Sequence, residues 1–193
     1  MFHSPNNFKN TNGVILLSNG DSMRGNISLN LEVLSHPKLT VQSSNQEAEK
    51  IFLHDVSSIK IASDTYELRH IGKGGPGRNL YFMKRLTTPG SKVHLYEHLE
   101  KKVNHRSDKR ADYQLKYYVQ FANQPRYSVW PVGGRHFQPR FDRKLSELVN
   151  DCPALAEKVI NKDSGYFYTA YNTTEKERLK VWMRIIKEYN ECS

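Results

Sequence analysis

The chain has 193 residues, 37% of them hydrophobic, which is enough to bury one sizeable core and predicts a single compact unit. Its longest apolar run, Val14-Ile15-Leu16-Leu17, is far shorter than the roughly 18 to 20 residues of a membrane-spanning helix, so the sequence excludes such a helix. The formal net charge of +9 favours an anionic partner, and a merely solvated surface is the alternative.

The N-terminal part predicts a meander of short antiparallel strands. An apolar run at residues 14–17 precedes Asn19-Gly20, which predicts a hairpin with a type I′ turn. Apolar residues then alternate with polar ones, as they do in half-buried strands. They are Met23, Ile27 and Leu29, then Leu39 and Val41, Ile51 and Leu53, Ile59 and Ile61, and Tyr66 and Leu68.

A glycine cluster at residues 72–77 leads into the strand pattern of residues 80–83. A phosphate-binding loop needs Lys-Ser or Lys-Thr and then a helix, so this cluster predicts a hairpin turn instead. Strand patterns continue at Val93 and Leu95, over residues 113–121, and at Tyr127 and Val129.

From residue 138 the apolar period changes to that of helices. Asp142 is expected to cap a short helix, and Pro153 suits the first turn of a second one. Thr174 and Glu177 form the capping box of the last helix. Its expected inward residues are Leu179, Trp182, Met183, Ile186 and Tyr189, and those of the two shorter helices are Leu145, Leu148, Val149, Leu155, Ala156, Val159 and Ile160.

These patterns predict an α+β protein. A β-rich region over residues 1–137, built as an antiparallel meander, small curved sheet or barrel, is followed by a helical region over residues 138–193 that packs on it.

No catalytic, cofactor or metal site is predicted. His94 and His98 lie on a predicted strand, where residues four apart are roughly 13 Å from each other, too far for one ion. Cys152 sits between Asp151 and Pro153, a poor setting for a reactive thiolate. An enzyme whose site assembles from scattered residues remains an alternative.

The positive charge is concentrated in the middle of the chain. Residues 69–144 hold 17 Lys and Arg against 5 Asp and Glu, whereas residues 1–68 hold 5 against 7 and residues 145–193 hold 7 against 8. The polar stretch from residue 101 to residue 110 is expected to be an exposed connection that binds an anion. Its basic residues are Lys101, Lys102, Arg106, Lys109 and Arg110, and Tyr96, Tyr113, Tyr117 and Tyr118 flank it.

The segment Gly13 to Ile27 looks like the first hairpin of Sm-like RNA-binding barrels, with an apolar strand, an Asn-Gly-Asp turn and Gly25 in the second strand. This likeness implies an architecture, since any small curved sheet favours the same features. Together with the basic stretch beside tyrosines, it keeps a cytosolic nucleic-acid-binding protein as an alternative function.

A looser resemblance spans most of the chain. Asn19-Gly20-Asp21, Asp151-Cys152-Pro153 and Tyr189-Asn190-x-Cys192 resemble the motifs of uncharacterised cell-envelope or secreted proteins of Bacteroidota. Those proteins pair a β-rich part with C-terminal helices, and no established activity comes with them. The resemblance implies a non-enzymatic binding or structural domain in the periplasm, the envelope or the medium.

The two cysteines bear on the compartment. Cys152 starts a short predicted helix and Cys192 follows the longest one, so a disulfide between them is expected to staple two mobile ends. Two unrelated buried thiols are the alternative. A disulfide favours an oxidising compartment over the cytoplasm, although the first seven residues lack the features of a secretory signal.

Overall fold

The computed structural model describes residues 7–31, 38–43, 47–71, 80–102, 112–122, 124, 128–169 and 171–192. In these residues strands precede helices, and the expected α+β class is confirmed. The strands are β1 (Asn7–Leu17), β2 (Ser22–Asn30), β3 (Lys38–Gln42), β4 (Glu49–Ile51), β5 (Val56–Ile61), β6 (Asp64–Ile71), β7 (Leu80–Arg85), β8 (Val93–Lys102), β9 (Asp112–Phe121) and β10 (Ser128–Pro131). The helices are α1 (Phe141–Leu148), α2 (Pro153–Ile160) and α3 (Glu175–Glu191), and a 3-10 turn, Leu53–Asp55, joins β4 to β5.

The chain divides into two compact units. Unit 1 consists of Met1–Arg85 and Glu97–Leu115, and unit 2 consists of Leu86–Tyr96 and Lys116–Ser193. The helical segment 138–193 therefore lies wholly within unit 2, which also contains strand residues.

Unit 1 contains an antiparallel sheet. Its strands follow the order β5-β1-β2-β3-β4, every pair antiparallel, and β6 and β7 extend the sheet beyond β5. Alternating apolar residues supply the core because one face of each strand points inward. The buried residues are Phe8, Ile15, Ile27, Leu29, Leu39, Val41, Ile51, Val56, Ile59, Leu68 and Phe82.

The first hairpin forms as predicted, but its turn differs. The φ angle of Gly20 is 96°, whereas Asn19 does not have the positive φ that a type I′ turn requires. Leu17 N–H donates to the carbonyl of Asp21 at 2.8 Å, and Gly20 N–H donates to the carbonyl of Leu17 at 3.1 Å. The connection is thus a three-residue loop closed by a left-handed glycine.

Gly25 allows close packing of neighbouring strands. A Cβ atom at this position would lie 2.4 Å from the carbonyl oxygen of Gln42 on β3, closer than any real contact. Gly13, its cross-strand partner, has the same constraint, because a Cβ there would lie 2.5 Å from the oxygen of Lys60. The bent strands therefore need glycine at both positions.

Unit 2 buries an aromatic core beneath its helices. Trp182 is fully buried, and its ring lies against Phe137 and Phe141, with centroids 4.7 and 5.7 Å away. The capping box of Thr174 and Glu177 begins α3, as the sequence predicts. The face that α3 buries consists of Val181, Trp182, Ile185, Ile186 and Tyr189.

Three helical details correct the sequence-based expectation. Met183 is 55% exposed and Ile160 is 42% exposed, because the buried stripes of α3 and α2 are centred on neighbouring residues. Asp142 does not cap α1: it lies in the first turn, and Arg140, with a φ of 72°, is the N-cap. The Asp142 carboxylate instead faces Lys162 Nζ at 3.5 Å. Among the helices described, none is long and apolar enough to cross a bilayer.

Candidate functional site

The predicted anion-binding stretch falls largely outside the described residues. Three of its basic residues lie outside the described residues: Arg106, Lys109 and Arg110. The glycine cluster at residues 72–77 also lies outside them. Lys101 and Lys102 are the last two residues of β8, so the strand extends further than the sequence suggested. The role of these five residues therefore stays a prediction.

Several other basic residues of the middle segment pair with carboxylates. Arg69 and Arg85 both bond to Glu67, and all three side chains are largely buried in unit 1. Lys84 Nζ lies 2.9 Å from the Asp64 carboxylate, and this hydrogen bond raises the pKa of the lysine above its ordinary value. Both carboxylates precede residue 69 in the chain. Counting charge by segment therefore overstates the free positive charge of residues 69–144.

The two strand histidines take part in packing and local hydrogen bonding. In unit 1, His98 is buried and its ring centroid lies 4.8 Å from that of Tyr81. In unit 2, His94 Nδ1 lies 3.2 Å from Thr87 Oγ1. Among the residues the structure describes, no three His, Cys, Asp or Glu side chains come together in a way that could hold a metal ion.

Three arginines of unit 2 behave differently and are called here the arginine group: Arg135, Arg140 and Arg143. All three side chains are exposed. Within the described ranges, no carboxylate lies within ion-pairing distance of any of them. Arg140 is the N-cap of α1 and Arg143 is three residues further on, so both belong to the same first turn.

A turn before α1 brings Arg135 to this region. Phe137 N–H donates to the Gly134 carbonyl at 3.2 Å, and Lys144 Nζ donates to the His136 carbonyl at 2.6 Å. The lysine thus ties the first helical turn to the residue that follows Arg135. Nothing in the sequence distinguishes these arginines from other basic residues, because a count of charges cannot separate paired from unpaired groups.

An aromatic surface adjoins the arginine group. The exposed ring of His136 stacks on Trp130, with centroids 3.5 Å apart and planes inclined by 20°. Phe137 packs edge-on against the same indole from the core side, at 5.6 Å. The surface therefore combines guanidinium groups with an exposed, flat aromatic face.

The two cysteine motifs meet in unit 2. Cys152 and Cys192 form a disulfide in the structure, with their Cα atoms 6.0 Å apart. The pair joins the N-cap of α2 to the C-cap of α3. We call this pair and the contacts around it the clasp.

The other motif residues complete the clasp. Tyr189 O–H donates to Asp151 Oδ1 at 2.7 Å, and Asn190 Oδ1 accepts from Val93 N–H at 3.1 Å. Lys92 Nζ donates to the Cys192 carbonyl at 2.7 Å. The two motifs are therefore explained by packing, and they leave no reactive thiol. Nothing in the sequence pointed to Lys92 or Val93 as partners, because they lie about 100 residues away along the chain.

Two buried tyrosines of unit 2 give the fold a measurable pH dependence. Burial raises the pKa of Tyr168 to about 12, and burial together with the bond to Asp151 raises that of Tyr189 to about 12. The unfolded chain ionises these groups near pH 10, where the folded chain still holds both protons. Stability is therefore fully present below pH 10 and falls as the pH rises from 10 towards 12.

Among the tyrosines of the chain, we expect Tyr168 and Tyr189 to ionise well above pH 10, later than a tyrosine of ordinary pKa. An ultraviolet titration of the phenolate absorbance, followed in parallel by circular dichroism, measures this directly. In denaturant all of them should titrate near pH 10. A folded protein whose tyrosines all ionise near pH 10 would contradict the buried environment described for these two rings.

Comparison with protein-family models, with curated proteins and with solved structures found no match.

Proposed function

We propose that the protein is a non-enzymatic binding or structural domain of the bacterial cell envelope, and that its basic surface binds an acidic glycan. The observation that carries the proposal is the arginine group, three exposed guanidiniums without a carboxylate partner among the described residues. The proposal extends the anion-binding role predicted for residues 101–110 to Arg135, Arg140 and Arg143.

The chemistry of guanidinium supports an oxyanion ligand. Arginine remains charged at any physiological pH, and its planar fork of donors matches the two oxygens of a carboxylate or sulfate. Two of these groups lie on the first turn of α1 and the third on the turn before it, so together they raise the local positive potential. Because they are exposed, their attraction should weaken strongly as salt is added.

The clasp supports the proposed compartment. Structural disulfides persist in oxidising surroundings and are rare in the cytoplasm. The residues around Cys152 and Cys192 bond to one another or to the β8 region. A staple of this kind suits a domain that must stay folded outside the cell.

A cytosolic nucleic-acid-binding protein is the second candidate, and the stack of His136 on Trp130 favours it. Single-stranded nucleic acid is held by phosphate neutralisation together with base stacking on aromatic rings. The two candidate functions are distinguished by the ligand that the protein prefers, because a glycan has no base that could stack on the aromatic face.

We expect the triple variant Arg135→Ser, Arg140→Asn, Arg143→Ser to lose at least about tenfold in affinity for a sulfated or carboxylated glycan at low salt. Asparagine is chosen at position 140 because it tolerates the positive φ found there. Heparin and polygalacturonate serve as glycan probes, and an oligodeoxythymidine serves as the nucleic-acid probe. Binding is followed by fluorescence anisotropy at several salt concentrations.

The matched control removes the same charge elsewhere. Lys176, Lys180 and Lys187 are exposed on α3, and replacing all three with serine should leave glycan affinity within about twofold if location matters more than net charge. Equal losses in both triple variants would contradict a local site. A third variant, with serine at 101, 102, 106, 109 and 110, decides whether the stretch first suggested by the sequence contributes.

Length-dependent binding of the oligonucleotide, with weak binding of both glycans, would favour the second candidate.

A further inference from the structure

A groove opens beside the edge strand β4 of the sheet in unit 1. Its volume is about 660 Å³, and it lies between the β1–β2 turn and β4 with the 3-10 turn that follows. It is separate from the arginine group and the clasp, which both belong to unit 2.

Apolar side chains form much of the groove. Leu17, Met23, Ile51 and Phe52 all line it. Phe52 is 62% exposed, and its ring stacks on that of His54, with centroids 5.6 Å apart. An aromatic side chain left open beside a concave apolar surface is typical of a binding site.

The backbone of β4 offers a second point of attachment. All three residues of this strand line the groove. Among the described strands, β4 pairs with β3 alone, through Val41↔Glu49, Thr40↔Lys50 and Leu39↔Ile51. Its outer edge therefore has backbone groups for a further strand, and extended peptides commonly bind to such edges.

The charge of the groove is opposite to that of the chain. Glu49 and Asp55 line it against one lysine, Lys50. A third carboxylate, Asp21, bonds to the lining residue Asn19, whose Nδ2 donates to Asp21 Oδ2 at 2.7 Å. In a protein of net charge +9, this acidic surface favours a cationic ligand.

We infer that the groove binds an extended peptide segment of a partner protein. The segment pairs along the outer edge of β4, places an apolar side chain on Phe52, and directs a lysine or arginine towards Glu49 and Asp55. The strand edge accounts for the extended backbone, the exposed ring for the apolar residue, and the carboxylates for the basic one.

Two synthetic peptides test this inference. The first is acetyl-Thr-Lys-Phe-Lys-Val-Thr-amide, and the second has glutamate in place of both lysines. Each is titrated into the uniformly ¹⁵N-labelled full chain while amide resonances are recorded. We expect the lysine peptide to shift the amides of residues 18–19 and 49–52 in a saturable way, and the glutamate peptide to leave them unchanged.

Two variants locate the interaction. Phe52→Ser should weaken binding of the lysine peptide by at least about fivefold, because the apolar contact is lost. The matched control is Tyr171→Ser, at a ring that is 83% exposed in unit 2, and it should leave the affinity unchanged. The double variant Glu49→Gln, Asp55→Asn should weaken binding and reduce its dependence on salt.

The inference is overturned if the lysine peptide causes no saturable shift at residues 49–52 at millimolar concentration. It is also overturned if both peptides bind equally, if Phe52→Ser binds as the parent does, or if the shifts appear only elsewhere in the chain. These outcomes are independent of glycan binding by the arginine group. Glycan binding is measured separately, by fluorescence anisotropy with the triple arginine variant.

Discussion

Replacing Trp182 with alanine is expected to lower the free energy of unfolding by about 3 to 5 kcal/mol and to leave the protein poorly folded or insoluble. The indole is fully buried, lies against Phe137 and Phe141, and its Nε1–H donates to the hydroxyl oxygen of Tyr168 at 3.2 Å. Truncation would leave a cavity among these rings and remove the hydrogen bond. Urea unfolding followed by circular dichroism measures the loss.

The adjacent methionine provides the control. Met183 is 55% exposed, so Met183→Ala should change the free energy of unfolding by no more than about 0.5 kcal/mol. Two variants one residue apart on the same helix would thus differ by several kcal/mol. If Trp182→Ala unfolds at the same urea concentration as the parent, the buried face assigned to α3 is wrong.

The second large effect is expected at the clasp. Reduction, or the double variant Cys152→Ala, Cys192→Ala, should lower the free energy of unfolding by about 4 kcal/mol in the chain-entropy model, because the bond closes a loop of 40 residues. Part of the loss should appear as fraying of the end of α3, where Tyr189 and Asn190 bind Asp151 and Val93.

The measurement is a pair of urea curves with and without a strong reductant. The parent protein should shift to lower urea on reduction, and the double alanine variant should show one curve under both conditions. Superimposable curves for the parent would mean that the cysteine pair adds nothing to stability. A reductant-dependent shift in the double variant would show that the effect does not come from this bond.

Local signals in the sequence were enough to predict most secondary structure. The capping box of Thr174 and Glu177 is complete within four residues, and the alternation from Leu39 to Leu68 follows the pleat of the strands. Such features depend on neighbours a few positions away, so they can be read without knowing the tertiary fold. The α+β class follows from their order.

Details that depend on tertiary packing were harder to predict from the sequence. The turn after β1 contains Asn-Gly, yet it takes one residue more than a type I′ turn because Leu17 pairs with Asp21. The apolar pattern of α3 fitted two neighbouring stripes, and only the surrounding core shows that Val181 and Ile185 face inward while Met183 does not. A helical period defines a stripe only to within about one residue.

The candidate site was the least predictable feature. Segment charge identified the middle of the chain, but Glu67 and Asp64, which precede that segment, pair with Arg69 on the same strand and with Lys84 and Arg85 on the neighbouring strand β7. Within the described part of residues 69–144, the guanidiniums without a carboxylate partner lie on α1 and on the turn before it. Ion pairing across strands is set by register, which a composition count does not contain.

The central claim is that this is a disulfide-clasped domain acting outside the cytoplasm, and a thiol count tests it most directly. Protein purified from its native compartment, under conditions that block thiol exchange, is denatured without reductant and titrated with a thiol reagent. The account predicts no titratable thiol per chain, since Cys152 and Cys192 are the two cysteines of the sequence and the structure pairs them. Two titratable thiols per chain would contradict both the clasp and the proposed compartment.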